Sequence, residues 1–169
     1  MRRGRRIPLP PGGLGVAVAM AMGLAACGDD NPAVAEIGDD AVIEYHYGDS
    51  SVEPEFHRSY TLTISSDEVH VVVDSYGDVL QDTTAPVPAE VWTGLVENVG
   101  ELAAIDPDDG DDGCDGGTSR SMTVTDGGEA VYDVAFGVCG GANDAAADRL
   151  DAYVAPVTEA IPDWEALVD

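Results

Sequence analysis

Alternating apolar and polar positions predict β-strands in the first half of the chain. Residues 59–65 place Tyr60, Leu62 and Ile64 between polar side chains, and residues 68–76 alternate valines with polar residues. A period of two is typical of strands with one buried face. Because only a short Ser/Asp turn separates these stretches, they predict a hairpin. Further strands are predicted at 41–47, around 79–83, at 119–125 and at 129–138, with a Gly-rich turn joining the last two.

Two other stretches repeat their apolar residues every three or four positions, which indicates helices. The first is predicted at about 88–102, after a Pro-rich end to the preceding strand. The second begins near Asn143 or Asp144, whose side chains can cap a helix, and Pro156 is expected to kink or split it. Its apolar positions are Leu150, Tyr153, Val154, Val157 and Ile161, and a short helical segment is expected around Trp164, Leu167 and Val168.

The order of strands, helix, strands and helix predicts the α+β class. Strands joined in hairpins favour an antiparallel sheet, and helices grouped apart from them pack on one of its faces. We therefore expect about five to six antiparallel strands in hairpins, with two main helices on one side. Residues 41–169 suit a single domain, and a chain that is 44% apolar is normal for a globular core.

The first 27 residues differ in composition from the rest of the chain. Four of the seven arginines lie within residues 1–6, and an apolar run follows at 14–26. About 13 apolar residues are too few to cross a bilayer, which takes roughly 20. They suit the apolar region of a secretory signal peptide instead. The run ends in Leu24, Ala25, Ala26 and Cys27, and polar residues follow directly.

These features resemble the lipobox of bacterial lipoproteins. The resemblance implies that Cys27 receives a diacylglycerol thioether and becomes the mature N-terminus, because only its sulfur can form that bond. It assigns 1–26 to a lipoprotein signal peptide and 27–40 to an acidic tether. The lipid anchor would then hold the domain on the extracytoplasmic side of the cell membrane. An ordinary signal peptide followed by a cysteine is the alternative, and Arg5 and Arg6 leave a twin-arginine export route open.

The domain also resembles small secreted bacterial lipoproteins of uncharacterised function. The segments that carry this likeness are FHRSYTLTI, VDSYGDVL, CDGG, CGG and IPDW, within residues 42–168. This group implies no activity for the chain.

With Cys27 assigned to the lipid, Cys114 and Cys139 are left as a pair. In an oxidising compartment an even remainder predicts a disulfide. The predicted hairpin agrees, since Cys114 precedes one of its strands and Cys139 follows the other. Closing a loop of about 25 residues would stabilise the fold by roughly 3.5 kcal/mol. Metal-binding or catalytic thiols are the alternative, but neither cysteine has the close partner that a zinc site needs.

The charge of the chain is strongly negative. It has 33 acidic residues, no lysine, and only three arginines beyond residue 6. Such a surface excludes electrostatic binding to nucleic acid or anionic lipid headgroups, which needs clustered cationic side chains. The charge favours either solubility in a salty exterior or the binding of cations and basic proteins.

The acidic loop 106–117 is a candidate cation site. Ca²⁺ takes several carboxylate oxygens on a backbone flexible enough to surround it, and this loop combines six aspartates with four glycines. The EF-hand pattern fails in every register, and a solvated acidic loop is the alternative interpretation. The candidate ligands are Asp106, Asp108, Asp109, Asp111, Asp112 and Asp115.

Arg58 and the three histidines are weaker candidates. Arg58 can bind a carboxylate ligand through two parallel hydrogen bonds, or be paired within its own fold. His46 and His70 could share a zinc or copper ion if their strands pair suitably, although neither lies near a second ligand in sequence, and His57 lies in a loop. The chain has no nucleophile elbow and no phosphate-binding glycine loop.

Together these patterns predict a membrane-anchored extracytoplasmic lipoprotein whose domain is a non-enzymatic binding or interaction module. We expect it to be monomeric, with a protein partner at the cell surface as one possible ligand. The alternatives are a divalent-cation-binding surface protein that uses loop 106–117 and a small hydrolase of envelope material.

Overall fold

The computed structural model describes residues 36–108, 116–141 and 143–169. Its strands are β1 (Val42–Gly48), β2 (Ser59–Ile64), β3 (Glu68–Ser75), β4 (Asp78–Pro86), β5 (Thr118–Asp126) and β6 (Glu129–Val138). Its helices are α1 (Ala89–Asn98), a 3₁₀ helix (Val99–Ala104), α2 (Asp144–Ala160) and α3 (Trp164–Leu167). None of these helices is both long and apolar enough to cross a membrane.

All six strands form one antiparallel sheet in the order β4-β3-β2-β1-β5-β6. The α+β prediction and the antiparallel sheet are therefore confirmed. β1 lies inside the sheet, where Tyr45 is in register with Leu62 on one side and Met122 on the other. Among the described residues, β4 and β6 are the two edges of the sheet.

One face of the sheet carries the core. Ile43 and Tyr45 of β1 are fully buried, while their neighbours Val42 and Glu44 are exposed. The longer helices lie over this face and contribute apolar side chains to the same cluster, including Leu95 of α1. The core also contains Trp92, Val99 and Leu102 from the α1 region, Leu150, Val154 and Val157 from α2, and Ile37 before β1.

Three local predictions needed correction. The helix predicted at 88–102 is α-helical only to Asn98 and then continues as the 3₁₀ helix. α2 runs through Pro156 without a break, because Pro156 is exposed and its missing N–H frees a carbonyl near solvent. β4 is nine residues long and ends at Pro86, which an edge strand tolerates since its outer N–H groups have no strand partner.

Asn143 stands at the N-terminus of α2 as predicted, but its side chain does not cap the helix. It is buried and joins two other segments instead. Its Oδ1 accepts a hydrogen bond from the Asp108 N–H at 2.7 Å, and its Nδ2 donates to the Gly137 carbonyl at 3.0 Å. The hydrogen bonds of Asn143 thus connect the end of β6 to the segment after the 3₁₀ helix.

Candidate functional site

A groove of about 610 Å³ lies between α1, the 3₁₀ helix and α2. Its apolar lining includes Val91 and Leu95 of α1, Ile105 after the 3₁₀ helix, and Tyr153 of α2. Pockets of 300–1,000 Å³ lined mainly by apolar side chains are the usual binding sites for small molecules. We therefore take this helix groove as the candidate functional site.

Gly94 lines the groove and contributes no side chain to it. It lies in the middle of α1, and a Cβ built on it would meet no atom of another segment within 4 Å. A glycine inside a helix costs about 0.5–1 kcal/mol relative to alanine, because its backbone loses more freedom on folding. α1 is therefore less stable than it would be with alanine at this position, where a larger side chain would occupy the groove.

The rim of the groove carries charged side chains of both signs. Glu90 comes from α1 and Glu101 from the 3₁₀ helix, and both are exposed. Arg149 comes from α2, and its Nη1 donates a hydrogen bond to the Ala104 carbonyl at 2.7 Å. One of the guanidinium donors is thus already engaged by the backbone, whereas both glutamates face solvent.

The α2 wall of the groove offers a backbone acceptor. Ala152 and Pro156 both line the groove and are one helical turn apart. Because proline has no N–H, the carbonyl of Ala152 lacks the donor that position i+4 would provide. Next to it, the Tyr153 hydroxyl donates to the Leu95 carbonyl at 2.9 Å, and burial raises the pKa of Tyr153. This bond joins α2 to α1 across the groove.

A second polar cluster fixes α2 to the sheet. Arg120 of β5 donates to both carboxylate oxygens of Asp151 of α2, with Nε–Oδ1 and Nη2–Oδ2 distances of 2.8 and 3.0 Å. The hydroxyl of Tyr45 donates to the same carboxylate. The guanidinium carbon lies 4.3 Å from the ring centre of Tyr47, and Tyr47 stacks on Tyr60 with ring centres 5.0 Å apart. Since every charged group here has a protein partner, this cluster orients α2 and is not a vacant site.

Only part of the predicted cation loop can be placed. Asp106 and Asp108 are exposed, whereas Asp109, Asp111, Asp112 and Asp115 lie outside the described residues. Within the described ranges, no group of three or more His, Cys, Asp or Glu side chains is arranged to hold a metal ion. The Ca²⁺ prediction for loop 106–117 therefore stays a prediction.

The histidines are separated from one another. His46 and His70 lie on the polar face of the sheet, but β2 runs between their strands. His46 Nδ1 is 3.1 Å from the Thr61 hydroxyl, and His70 Nε2 is 2.8 Å from Asp82 Oδ1. His57 is buried beneath the ring of Tyr76 at a centroid distance of 3.8 Å. The sheet thus holds His46 and His70 apart, each beside a partner of its own.

Arg58 lies in the loop after β1 and forms hydrogen bonds within the chain. Its Nε donates to the Asp169 carbonyl at 2.9 Å and its Nη1 to the His57 carbonyl at 2.8 Å. These bonds correspond to the alternative of internal pairing, and the ligand-binding role of Arg58 stays a prediction. Cys139 follows β6, while Cys27 and Cys114 lie outside the described residues, so the lipidation and the disulfide also stay predictions.

The helix groove was missed by the sequence analysis. A glycine within a helical pattern costs about 1 kcal/mol relative to alanine, and the stripe of 88–102 contains two, Gly94 and Gly100. Of these two only Gly94 lines the groove, so the glycines alone could not locate it. The opposite wall was not accessible from sequence, because Arg149 and Ala152 are brought to α1 only by the packing of the helices.

The chain matches no model of a known protein family. A search among curated proteins likewise finds no match. The proposed function is therefore inferred from the geometry of the groove.

Proposed function

We propose that this protein is a membrane-anchored extracytoplasmic lipoprotein whose domain binds a small apolar molecule with a cationic head in the helix groove. The observation that carries the proposal is the apolar groove of about 610 Å³ that Gly94 lines. Its lining supplies apolar contact for the body of the ligand, which is the larger share of small-molecule affinity.

The groove favours a cationic over an anionic head for two reasons. Glu90 and Glu101 place exposed carboxylates on its rim, and the Ala152 carbonyl is an acceptor without its helical donor. An alkylammonium group donates three hydrogen bonds and carries the charge that both features attract. The net charge of −26 also concentrates cations near the surface and repels anions.

A large side chain that fills the groove should weaken the binding of a ligand there. We expect Gly94→Phe to weaken the binding of the neutral fluorescent probe N-phenyl-1-naphthylamine at least tenfold, because the new ring occupies the apolar space. Gly100→Phe is the matched control: Gly100 is also helical, has open space around its Cβ, and does not line the groove. The measurement is probe fluorescence with the unlipidated Cys27→Ser protein, and melting curves verify that both variants fold.

Competition then tests the charge of the head group. We expect decylamine to displace the probe at about fivefold lower concentration than decanoate, since exposed ion pairs contribute about 0.2–1 kcal/mol each. Decanol, with the same chain and no charge, should lie between them. Preferential displacement by decanoate would make Arg149 the head-group contact and contradict the cationic ligand. Equal probe binding by the Gly94 and Gly100 variants would contradict the groove itself.

The anchor and the disulfide belong to the same proposal. The lipobox-like segment that ends at Cys27 supports the anchor. The disulfide is supported by Cys114 and Cys139, which remain as a pair. Replacing Cys27 with serine removes the sulfur that forms the thioether, so we expect the protein to move from the membrane to the soluble fraction. Cys139→Ser makes the same substitution at a cysteine outside the lipobox and should leave the protein in membranes. Continued membrane association of the Cys27 variant would disprove the anchor.

A further inference from the structure

The edge strand β4 is unusually open. Residues 78–82 of this strand are all exposed, and β3 pairs with it on one side only. Among the described residues no strand pairs with the opposite side, whose backbone N–H and C=O groups can pair with another extended chain. Proteins commonly protect such edges with lysines, prolines, bulges or short strands. β4 has a bulge at Leu80, where its register with β3 shifts, but it has nine residues, no lysine, and a proline only at its last position.

Large apolar side chains gather at the start of this strand. Val79 and Leu80 of β4 are 60% and 43% exposed, Tyr76 at the β3–β4 turn is 55% exposed, and Phe56 in the preceding loop is 65% exposed. We call these four residues the β4 patch. An exposed apolar cluster beside an open strand edge is a candidate interaction surface.

Hydrogen bonds and ring stacking hold the loop of Phe56 against the turn. The Tyr76 hydroxyl donates to the Val52 carbonyl at 2.6 Å, and the Ser75 hydroxyl donates to the Pro54 carbonyl at 2.7 Å. The Tyr76 ring stacks on His57, the residue after Phe56. The loop and the turn are therefore positioned together before any partner binds, which lowers the entropic cost of association.

Acidic side chains surround the patch and decide which partner fits. Asp78 and Asp82 lie on β4, and Glu53 and Glu55 lie in the loop, all of them exposed. Pairing of β4 with a second copy of the chain would bring these carboxylates and two highly negative domains together, which is unfavourable. A basic segment would be attracted to this surface instead, because its positive charges would compensate the carboxylates.

We propose that the β4 edge binds an extended, basic segment of a partner protein by strand addition. Backbone hydrogen bonds to β4 would supply affinity, as in other cases of β-augmentation. Apolar side chains of the segment would contact the β4 patch, and cationic side chains would lie near Asp82 on one face of the sheet or near Asp78 on the other, as the register with β3 places them. This surface is distinct from the helix groove and the proposal goes beyond ligand binding there.

Peptide titration against the Cys27→Ser protein tests this proposal. The probe is an acetylated and amidated Lys-Val-Lys-Val-Lys-Val-Lys peptide, and its partner probe has the same sequence with every backbone nitrogen methylated, so that it has no N–H donor on either edge. We expect the methylated peptide to bind at least tenfold more weakly. Equal affinity of the two peptides would mean adsorption to acidic surface and would overturn the proposal.

A matched pair of variants locates the binding surface. Val79→Lys introduces a positive charge on the edge strand, and Val42→Lys makes the same change at a 37% exposed valine of the interior strand β1. We expect at least a tenfold loss for the Val79 variant and an unchanged affinity for the Val42 variant. Equal affinities would overturn the proposal, as would a dimer in sedimentation that Val79→Lys dissociates. Gly94→Phe should leave peptide binding unchanged, which separates this result from that of the helix groove.

Discussion

Replacing Arg120 with methionine should lower the free energy of unfolding by about 2 kcal/mol. The Arg120 side chain is only 10% exposed and holds Asp151 through two hydrogen bonds. Removing one partner of a buried ion pair costs about 3–5 kcal/mol, because the other charge loses its compensation. Asp151 is 42% exposed, so water compensates part of that loss and the expected effect is smaller.

Arg149→Met is the control for this prediction. It removes the same charge from the same acidic protein, but Arg149 is exposed and donates one hydrogen bond to a backbone carbonyl. Changes of this kind on the surface stay within about 0.5 kcal/mol. Urea denaturation of both variants gives the comparison. An equal loss in the two variants would show that overall charge, not the contact with Asp151, determines the stability.

Alkaline solution should destabilise the fold steeply above about pH 10. Burial, with a smaller contribution from the Asp151 carboxylate, raises the pKa of Tyr60 to about 12. Burial together with Asp133 raises the pKa of Tyr132 to about 12. The pKa values of Tyr45 and Tyr153 are raised as well, with burial as the largest cause. All four hydroxyls therefore keep their protons in the folded protein at a pH where the unfolded chain loses them.

The sign of the effect follows from proton binding. Between about pH 10 and pH 12 the folded state binds more protons than the unfolded state, so stability falls as pH rises. Each such tyrosine lowers the free energy of unfolding by up to about 1.4 kcal/mol for every pH unit in this window. Below the window it causes no change with pH. Unfolding midpoints at pH 8 to 11.5, with phenolate absorbance recorded in parallel, test the prediction.

A single substitution provides the control for the alkaline window. Tyr153→Phe removes one of these hydroxyls and should flatten the decline above pH 10 by up to about 1.4 kcal/mol per pH unit. It also removes the hydrogen bond to Leu95, so the variant starts from a lower stability at pH 8. Phenolate absorbance equivalent to all six tyrosines, reached while the circular dichroism of the fold stays constant, would contradict the prediction.

The sheet was predictable because most strands bury one face only. The buried side chains face the helices and alternate with polar residues, as Ile43 and Tyr45 do in β1 and Leu62 and Ile64 do in β2. The period of two is therefore visible in the sequence. β4 was predicted short because it is an exposed edge: both Val79 and Leu80 face solvent, and no alternation marks the strand there. The same exposure underlies the proposal that β4 binds an extended segment.

The groove and the Arg120 cluster could not be predicted because they depend on tertiary packing. Asp151 is 31 residues from Arg120 and 106 from Tyr45 in sequence, and no local pattern relates them. Pro156 was expected to interrupt its helix, since sequence does not show that the freed carbonyl of Ala152 lies at a groove wall. Gly94 and Gly100 both lie inside the predicted helical stripe, and the sequence does not show which of the two lines a groove.

Amide chemical shifts measured during a titration with decylamine test the helix groove most directly. Gly94 and Gly100 form an internal pair in ¹H–¹⁵N correlation spectra, because both are helical glycines and only Gly94 lines the groove. If decylamine binds in the groove, we expect saturable changes of chemical shift at Gly94 and at the Glu101, Arg149 and Ala152 amides. The Gly100 amide should change little. Shifts confined to other surfaces, or spread over the acidic residues without saturation, would contradict the groove as the binding site.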